Sequence, residues 1–226
     1  MSALTLRDVD VERGGRTLVS GVNLLARSGD LIALRGPSGC GKTTILRAIA
    51  GLDPFAGGTI EVGDARLEGG KAPDRAMLHR LRRSVGLVFQ FHCLFEHLSA
   101  LQNVSLAPVH VYGTPHQAAE QAGRELLKQL GVEARADAWP RELSGGEAQR
   151  VAIARALAVN PPVLLMDEPM ASLDSLRRAE VGALLQRLTS SGRTLLVTTH
   201  DERFAQDFAT RVLTIEGGSV RETVGG

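Results

Sequence analysis

The sequence predicts an α/β protein with a mostly parallel sheet, an antiparallel β part at its N-terminal side and an inserted α-helical part. Three observations predict this class. Apolar and polar residues alternate within residues 4–34, as in antiparallel strands. From Val163 onward, short apolar runs alternate with helical patterns, as in βαβ units. Residues 91–139 carry helical patterns rich in Gln, Ala and Glu, which indicate a mainly helical insertion. A length of 226 residues suits one large α/β domain, or a core with a smaller inserted subdomain.

The individual elements are expected in a regular order. A short apolar strand at 31–34 follows the N-terminal strands, and residues 71–84 are expected to contain a surface helix. Pro108 and Pro115 are expected to interrupt the helical part. The remaining strands and helices are expected at 59–62, 85–89, 163–167, 175–191, 195–199, 201–209 and 211–220.

Composition and charge exclude several functional classes. Hydrophobic residues make up 43% of the chain and aromatic residues 4%, which is typical of a globular protein with an aliphatic core. A formal net charge of +1 gives no electrostatic argument for nucleic-acid binding. Residues 1–10 do not resemble a signal peptide, and no apolar stretch approaches the ~18 residues of a membrane span. Two cysteines are too few for a disulfide scaffold. The simplest expectation is a cytosolic protein that reaches a membrane only through a partner.

The segment between the strand at 31–34 and the next helix has the spacing G-x-x-x-x-G-K-[ST]. Glycines let backbone N–H groups face a phosphate, and the helix N-terminus adds its positive end. Lys42 can reach the β- and γ-phosphates, and the Thr43 hydroxyl can bind Mg²⁺. An ordinary glycine-rich turn is the alternative, which the strand before and the helix after disfavour. The pattern predicts ATP binding by Gly36, Pro37, Ser38, Gly39, Cys40, Gly41, Lys42, Thr43 and Thr44.

Four apolar runs end in polar or special residues, and this pattern predicts a single site. The residues at these ends are Arg35-Gly36, Gln90, Asp167-Glu168 and His200. Ligands of open parallel sheets bind at the carboxyl ends of the strands. We therefore expect these residues to face one ligand.

The two acids at the end of the strand at 163–167 are expected to have different tasks, because adjacent residues of a strand point to opposite sides. Asp167 is expected to hold Mg²⁺ beside the phosphate loop. Glu168 is expected to orient or deprotonate water, with Pro169 keeping it extended. The alternative, an acidic strand end that only makes a turn, is disfavoured by the neighbouring phosphate loop.

Residues 143–147, LSGGE, precede a helix rich in small residues. Ser144 and Glu147 have the spacing of a capping box, which accounts for these two residues but not for the glycines. Two glycines beside a serine at a helix N-terminus form a second anion site that a phosphate can approach closely. Because the first loop already holds one nucleotide, the second site suggests docking onto the nucleotide of another copy.

Together these motifs resemble those of the ATP-binding cassette (ABC) ATPases, which share the P-loop NTPase core. The match covers nearly the whole chain and includes LSGGE, the signature motif of that family. The resemblance implies an ATPase that uses ATP and Mg²⁺ and hydrolyses ATP with an oriented water. It also implies a head-to-tail homodimer, in which each ATP lies between Lys42 of one subunit and Ser144 and Gly146 of the other.

The resemblance assigns roles to further residues. Gln90 matches a glutamine that contacts Mg²⁺ or water and senses the membrane partner, and Glu168 matches the catalytic glutamate. His200 matches a histidine that contacts the γ-phosphate, and Asp174 matches an aspartate that crosses the dimer interface. Arg13 stands where the family commonly has an aromatic residue that stacks on adenine; a guanidinium can also stack on a base.

The resemblance also implies a division of the single domain formed by residues 1–226. A nucleotide-binding core, which includes the antiparallel part, is expected over about 1–90 and 160–226, and a helical subdomain with the signature motif over about 91–159. One departure is Met-Ala-Ser at 170–172, where the family commonly has Thr-Ser-Ala. Because the Leu-Asp pair that follows is kept, we expect function to survive.

Most members of the family drive transport, and here the permease subunits would be separate chains. Residues 91–113 lie where transporter ATPases receive a permease helix, and Phe91, Leu94 and Phe95 suit an apolar groove for it. Alternatively, these three residues belong to the core of the helical part. The segment is similar to that of bacterial importers of polar amino acids. The main prediction is therefore uptake of a small polar solute such as an amino acid, powered from the inner face of the cell membrane, with an extracytoplasmic solute-binding protein as a further partner.

Three other functions stay open. The same segment is also similar to lipoprotein-releasing and phosphonate-type systems. A non-transport ABC ATPase usually carries a long coiled coil, a second cassette or a basic extension, which this sequence lacks. A nucleotide kinase needs a phosphate-accepting substrate site and does not account for LSGGE.

Overall fold

The computed structural model describes residues 2–171 and 175–224, which form two β-sheets and seven α-helices. The strands are β1 (Ser2–Arg13), β2 (Arg16–Arg27), β3 (Leu31–Arg35), β4 (Gly57–Val62), β5 (Ala65–Glu68), β6 (Val85–Val88), β7 (Val163–Asp167), β8 (Thr194–Thr198), β9 (Arg211–Glu216) and β10 (Ser219–Val224). The helices are α1 (Lys42–Ile49), α2 (Arg75–Ser84), α3 (Ala100–His110), α4 (His116–Gln129), α5 (Gly145–Leu157), α6 (Ser175–Ser190) and α7 (Glu202–Phe208).

The larger sheet has six strands in the order β10-β9-β3-β8-β7-β6. All neighbouring pairs are parallel except β10 and β9, which are antiparallel. Every residue of β7 and β8 is buried, as expected for central strands that are covered on both faces. The carboxyl ends of β3, β6, β7 and β8 therefore meet at one edge of the sheet. The predicted α/β class with a mostly parallel sheet is confirmed.

The smaller sheet is antiparallel and has the order β2-β1-β4-β5. It confirms the expected antiparallel part at the N-terminal side and extends it by β5, a four-residue strand that the sequence pattern did not predict. Alternate side chains of this sheet pack with α1 and with one face of the parallel sheet. Leu4, Ile32, Ile45, Ile49 and Ile60 are all buried in this first core cluster. Their burial fixes the position of α1 relative to β3.

A second core cluster lies on the opposite face of the parallel sheet. Leu101 of α3, Leu127 of α4 and Val151 of α5 pack there with Met166 of β7, and all four are buried. The helical content expected after residue 91 is thus present. Across residues 2–171 and 175–224, no helix has both the length and the apolar character that a membrane span requires.

One of the two expected helix breaks is absent. Pro108 lies within α3, which continues to His110, so the expectation that this proline interrupts the helix is wrong. Proline lacks the N–H that would bond to the carbonyl four residues earlier, and its ring crowds that carbonyl, and α3 ends two residues after Pro108. Pro115, in contrast, directly precedes α4 as its N-cap residue, where a missing N–H costs nothing.

Candidate active site

The loop between β3 and α1 has the shape of a phosphate cradle. Gly41 has φ +111°, and a Cβ there would lie 2.9 Å from Cγ2 of Val19, so this position requires glycine. Gly39 has φ +81°, and a Cβ there would meet no atom within 4 Å, so this part of the loop faces open space. Helix α1 begins at Lys42 without a side-chain cap, which leaves its first N–H groups available to a ligand.

Lys42 is held over the loop that precedes it. Its Nζ donates to the carbonyl oxygens of Gly36 at 2.7 Å and Pro37 at 3.1 Å, and the side chain is only 8% exposed. The same amine lies 3.8 Å from Oε1 of Glu168. A buried ammonium in this position places a positive charge between the loop and the catalytic carboxylate predicted from the sequence.

Next to Lys42, Thr43 meets Asp167 at the end of β7. The Thr43 hydroxyl lies 2.9 Å and 3.1 Å from the two carboxylate oxygens of Asp167. A hydroxyl and a carboxylate are the hard oxygen donors that Mg²⁺ prefers. In nucleotide sites, one or two protein ligands hold Mg²⁺ together with the phosphates. The donor set therefore fits Mg²⁺.

Glu168 follows directly and points to different partners. Its Oε2 lies 2.9 Å from Nδ1 of His200, and its side chain is 15% exposed. The expectation that Pro169 keeps Glu168 extended is wrong, because Glu168 has φ +46°. A residue before proline prefers extended backbone, and Glu168 departs from that preference at the start of a turn that a 3.2 Å hydrogen bond from the Ala171 N–H to the Glu168 carbonyl closes.

The predicted residues meet around one pocket of about 400 Å³, a size typical of small-molecule sites. Lys42, Gln90, Glu168 and His200 follow β3, β6, β7 and β8, and all four lie on its wall. Leu18 also lines the pocket and was not predicted; it lies on β2, where its apolar side chain suggests only a core position. The full lining consists of Arg13, Leu18, Ser38, Gly39, Gly41, Lys42, Thr43, Thr44, Gln90, Glu168 and His200.

Other predicted site residues do not line this pocket. Cys40 is half-buried, and its Sγ packs where a Cβ on Gly36 would lie. Gly36, Pro37 and Cys40 are absent from the pocket lining, so any contact that they make with a nucleotide would come from their backbone. Ser144 and Gly146 stand at the start of α5, outside the pocket lining. Asp174 lies outside the described residues, as does the end of the 170–172 segment.

The loop after Gln90 is clamped to α5. His92 and Cys93 have φ +60° and +48°, a strained conformation for two successive non-glycine residues. Arg155 donates to both carbonyl oxygens, at 2.8 Å and 2.6 Å, and Nε2 of His92 lies 2.8 Å from Oε1 of Gln149. Burial lowers the pKa of His92, and the positive charge of Arg155 lowers it further. The hydrogen bond to Gln149 acts in the opposite direction and raises the pKa. These contacts tie the position of Gln90 to the helix that LSGGE begins.

The aromatic residues of the same loop are partly available to a partner. Phe91 is 83% exposed and Phe95 is 43% exposed. Leu94, in contrast, packs against the helical core cluster, so for this residue the core alternative is correct. Phe91 directly follows Gln90 in the chain, and Phe91 and Phe95 both give this loop exposed apolar surface.

Helix α5 begins with a complete capping box. Ser144 Oγ accepts from the Glu147 N–H at 3.4 Å, and the Ser144 N–H donates to the Glu147 carboxylate at 2.7 Å, which lowers the pKa of that carboxyl group. Gly145 has no positive φ, and a Cβ there would meet nothing within 4 Å. The chain's own fold therefore does not require glycine at 145.

Comparison with known proteins adds independent evidence. A family model described as ABC transporter matches residues 19–171. The chain is 39% identical to the L-cystine transport system ATP-binding protein TcyN of Escherichia coli, with 98% of this chain and 90% of TcyN covered. It is 42% identical to the arginine/ornithine transport ATP-binding protein AotP of Pseudomonas aeruginosa, covering 98% and 90%. It is 38% identical to the glutamine transport ATP-binding protein GlnQ of E. coli, covering 97% and 90%.

Solved structures give the same result. The chain superposes on the dimeric structure of MJ0796, a bacterial ABC transporter cassette, with a TM-score of 0.86, 34% identity and 99% of both chains covered. A second dimeric structure of MJ0796, in a post-hydrolysis state bound to ADP and Pi, matches with the same TM-score, identity and coverage. The strand-end pocket, the LSGGE helix and these likenesses lead to one conclusion: the chain belongs to the ABC transporter family, as an ATP-binding and ATP-hydrolysing member.

Proposed function

We propose that this chain is the ATPase subunit of an uptake system for a small polar solute such as an amino acid. It would act through separate permease subunits at the inner face of the cell membrane, with an extracytoplasmic protein delivering the solute. The convergence of Lys42, Gln90, Glu168 and His200 on one pocket carries the ATPase part of the proposal. The solute class is supported by the names of TcyN, AotP and GlnQ, which are transport proteins for L-cystine, arginine/ornithine and glutamine.

ATP would bind with its phosphates against the loop before α1 and its base near Arg13. Lys42 would exchange its bonds to the Gly36 and Pro37 carbonyls for the β- and γ-phosphates, which is a small movement for a side chain already held over the loop. Thr43 and Asp167 would hold Mg²⁺, which neutralises phosphate charge when bound. Gln90, which also lines the pocket, would contribute its amide to Mg²⁺ or to the water.

Glu168 would activate the attacking water, and His200 would contact the γ-phosphate that the water attacks. The Glu168 carboxylate is largely buried and can accept a hydrogen bond or a proton from water. His200 lies within hydrogen-bond distance of it and is 66% exposed, so its ring can turn from Glu168 to the γ-phosphate. Water attack at phosphorus would break the bond to the bridging β,γ-oxygen, and inorganic phosphate and ADP would leave.

A second copy of the chain would complete the site. Gly145 has open space around it within its own chain, which suits the close approach of a phosphate from outside. Ser144 and Gly146, at the same helix start, would contact the ATP bound by Lys42 of the other copy. Asp174 would cross the same interface. The dimeric structures of MJ0796 support the dimer part of this proposal.

Residues 91–113, within the helical region of about 91–159, would receive the permease. Phe91 and Phe95 offer apolar surface beside Gln90, and the contacts of His92 and Arg155 join this loop to α5. A permease helix that presses on the exposed aromatic residues would therefore move Gln90 and the LSGGE helix together. This gives a physical route between solute translocation and ATP hydrolysis.

The ATPase part is tested by Glu168→Gln. We expect this variant to bind ATP with the affinity of the unaltered chain, to lose turnover by at least about 100-fold and to accumulate as an ATP-bound dimer. Glu216→Gln, an exposed change at the end of β9, is the matched control and should behave as the unaltered chain. Phosphate release and size-exclusion chromatography with ATP give both readouts. Normal turnover by Glu168→Gln would show that the base is elsewhere.

The transport part is tested by affinity purification of the tagged chain from detergent-solubilised membranes of its host. A permease recovered together with a solute-binding protein supports uptake. Recovery of soluble proteins alone would contradict the transport proposal.

A further inference from the structure

A buried hydroxyl links the two carboxylates of the site. Thr198 is the last residue of β8 and is fully buried, and it pairs with Asp167 across the parallel ladder. Its Oγ1 donates to Oδ1 of Asp167 at 2.7 Å and accepts from the N–H of Glu168 at 2.8 Å. A hydroxyl can donate and accept at the same time, and valine, which has the same shape, can do neither.

The first of these bonds fixes the orientation of Asp167. Thr43 approaches the carboxylate from α1, and Thr198 approaches it from β8. A carboxylate held from two elements cannot rotate freely about its terminal bond. Among the described residues, removal of the Thr198 hydroxyl would leave Thr43 as the single side chain that bonds to the carboxylate, on the side where Mg²⁺ is proposed.

The second bond fixes the backbone turn that carries Glu168. A non-glycine residue with φ +46° is strained and persists only where its surroundings determine it. The Thr198 hydroxyl receives the Glu168 N–H where β7 ends, at the point where this turn begins. The turn directs the side chain of Glu168 to His200 and Lys42.

Thr194 shows what a buried threonine of the same strand does without such a role. It is also fully buried, at the start of β8, and its hydroxyl donates to the Arg27 carbonyl at 2.8 Å. This bond caps a backbone carbonyl of a turn at the amino end of β8, whereas the pocket lies at the carboxyl ends of the strands. The two threonines thus have equal burial and one strand in common, and they differ in what their hydroxyls reach.

We propose that Thr198 is a positioning residue for ATP hydrolysis, whose hydroxyl orients the carboxylate of Asp167 and stabilises the turn that aims Glu168. The proposal rests on the proposed roles of these two acids. Thr198 does not face the pocket and is not expected to touch ATP. Its effect belongs to the chemical step and to the response to Mg²⁺, while capture of the nucleotide by the phosphate loop is unaffected.

The test compares Thr198→Val, Thr198→Ser and Thr194→Val. We expect Thr198→Val to lower kcat by about 10- to 100-fold, the size typical of residues that orient a metal ligand. Thr198→Ser keeps the hydroxyl and should retain kcat within a few-fold. Thr194→Val loses an equally buried hydroxyl away from the site and should retain normal kcat. If Thr198→Val does not fold, Thr198→Ala removes the hydroxyl without adding volume.

A second readout does not depend on turnover. Binding of a fluorescent ATP analogue is measured in EDTA and in excess Mg²⁺. We expect Thr198→Val to match the unaltered chain in EDTA and to gain less affinity from Mg²⁺. If Thr198→Val and Thr194→Val give the same kcat and the same gain from Mg²⁺, the positioning role is refuted. Glu168→Gln is assayed in parallel to separate the two proposals. If Glu168→Gln retains turnover, the proposed function fails. If Glu168→Gln loses turnover and Thr198→Val does not, only the inference about Thr198 fails.

Discussion

The helices α1 and α5 both begin at a predicted phosphate site, but their first turns are built in opposite ways. Helix α1 follows Gly41, has no side-chain cap and starts with the cationic Lys42. Helix α5 follows Ser144, whose capping box already occupies the Glu147 N–H, and it has an acidic residue in its first turn. In a single chain, the N–H groups at the start of α1 are therefore available to an anion, whereas the start of α5 is already capped by side chains of its own residues.

This difference indicates that the N-termini of α1 and α5 have different roles in binding the nucleotide. Helix α1 carries Lys42 and Thr43 and lies next to Asp167 and Glu168, so the primary phosphate site and the proposed base belong to one chain. Helix α5 has only its open Gly145 and the backbone around it, with the negative charge of Glu147 close by. On its own, α5 would hold a free anion weakly. It suits a nucleotide that another copy has already bound and partly neutralised.

The largest expected effect comes from α1. Lys42→Ala should weaken ATP binding by at least about 100-fold, because two hydrogen bonds from a charged group are lost and each contributes about 1.5–3 kcal/mol. Equilibrium binding of a labelled ATP analogue by the purified chain measures this. Lys71→Ala, an exposed lysine that pairs with Glu68, is the control and should bind normally. Normal binding by Lys42→Ala would contradict the assignment of α1 as the primary phosphate site.

An intermediate effect is expected at α5. Gly145→Asp should leave folding and ATP binding by the single chain unchanged, because the position is open and an acidic residue suits a helix N-terminus. Turnover should fall by at least about tenfold, since the new carboxylate would repel the phosphates presented by a second copy. Steady-state phosphate release at several protein concentrations measures the loss.

The matched control for this change is His116→Asp, which adds a carboxylate to the exposed first residue of α4. It should retain normal turnover. If Gly145→Asp weakens ATP binding by the isolated chain, α5 acts within its own subunit and the division of work between the two helices is wrong.

The sequence predicted the parts of this site that depend on pattern. Buried parallel strands are continuous apolar runs, so the polar residues at their ends, such as Gln90 and His200, stand out. The same argument predicted the common pocket. LSGGE was informative because a capping box accounts for Ser144 and Glu147 and leaves the glycines unexplained.

The parts that the sequence did not reveal depend on contacts between distant residues. Thr198 is a β-branched residue in a strand, where threonine is common without any role, and its partners lie about 30 residues away. The turn at Glu168 was misjudged because the preference of a residue before proline for extended backbone is overridden by contacts that form only in the fold, such as the bond from the Glu168 N–H to Thr198. Strand β5 was missed because four residues are too few to show alternation, and its pairing with β4 defines it.

The smallest effect is expected at Arg13, which tests whether the α1 site extends from the phosphates to the base. Arg13 is exposed at the end of β1 and lines the pocket, and stacking of an exposed guanidinium on an aromatic ring contributes about 0.5–1 kcal/mol. Arg13→Ala should therefore weaken ATP binding about two- to fivefold and leave binding of inorganic triphosphate unchanged, whereas Arg13→Tyr should restore ATP binding. Arg16→Ala, across the same hairpin and outside the pocket lining, is the control. An equal loss for ATP and triphosphate would mean that Arg13 acts as a charge on the phosphates, and α1 would then select for phosphate alone.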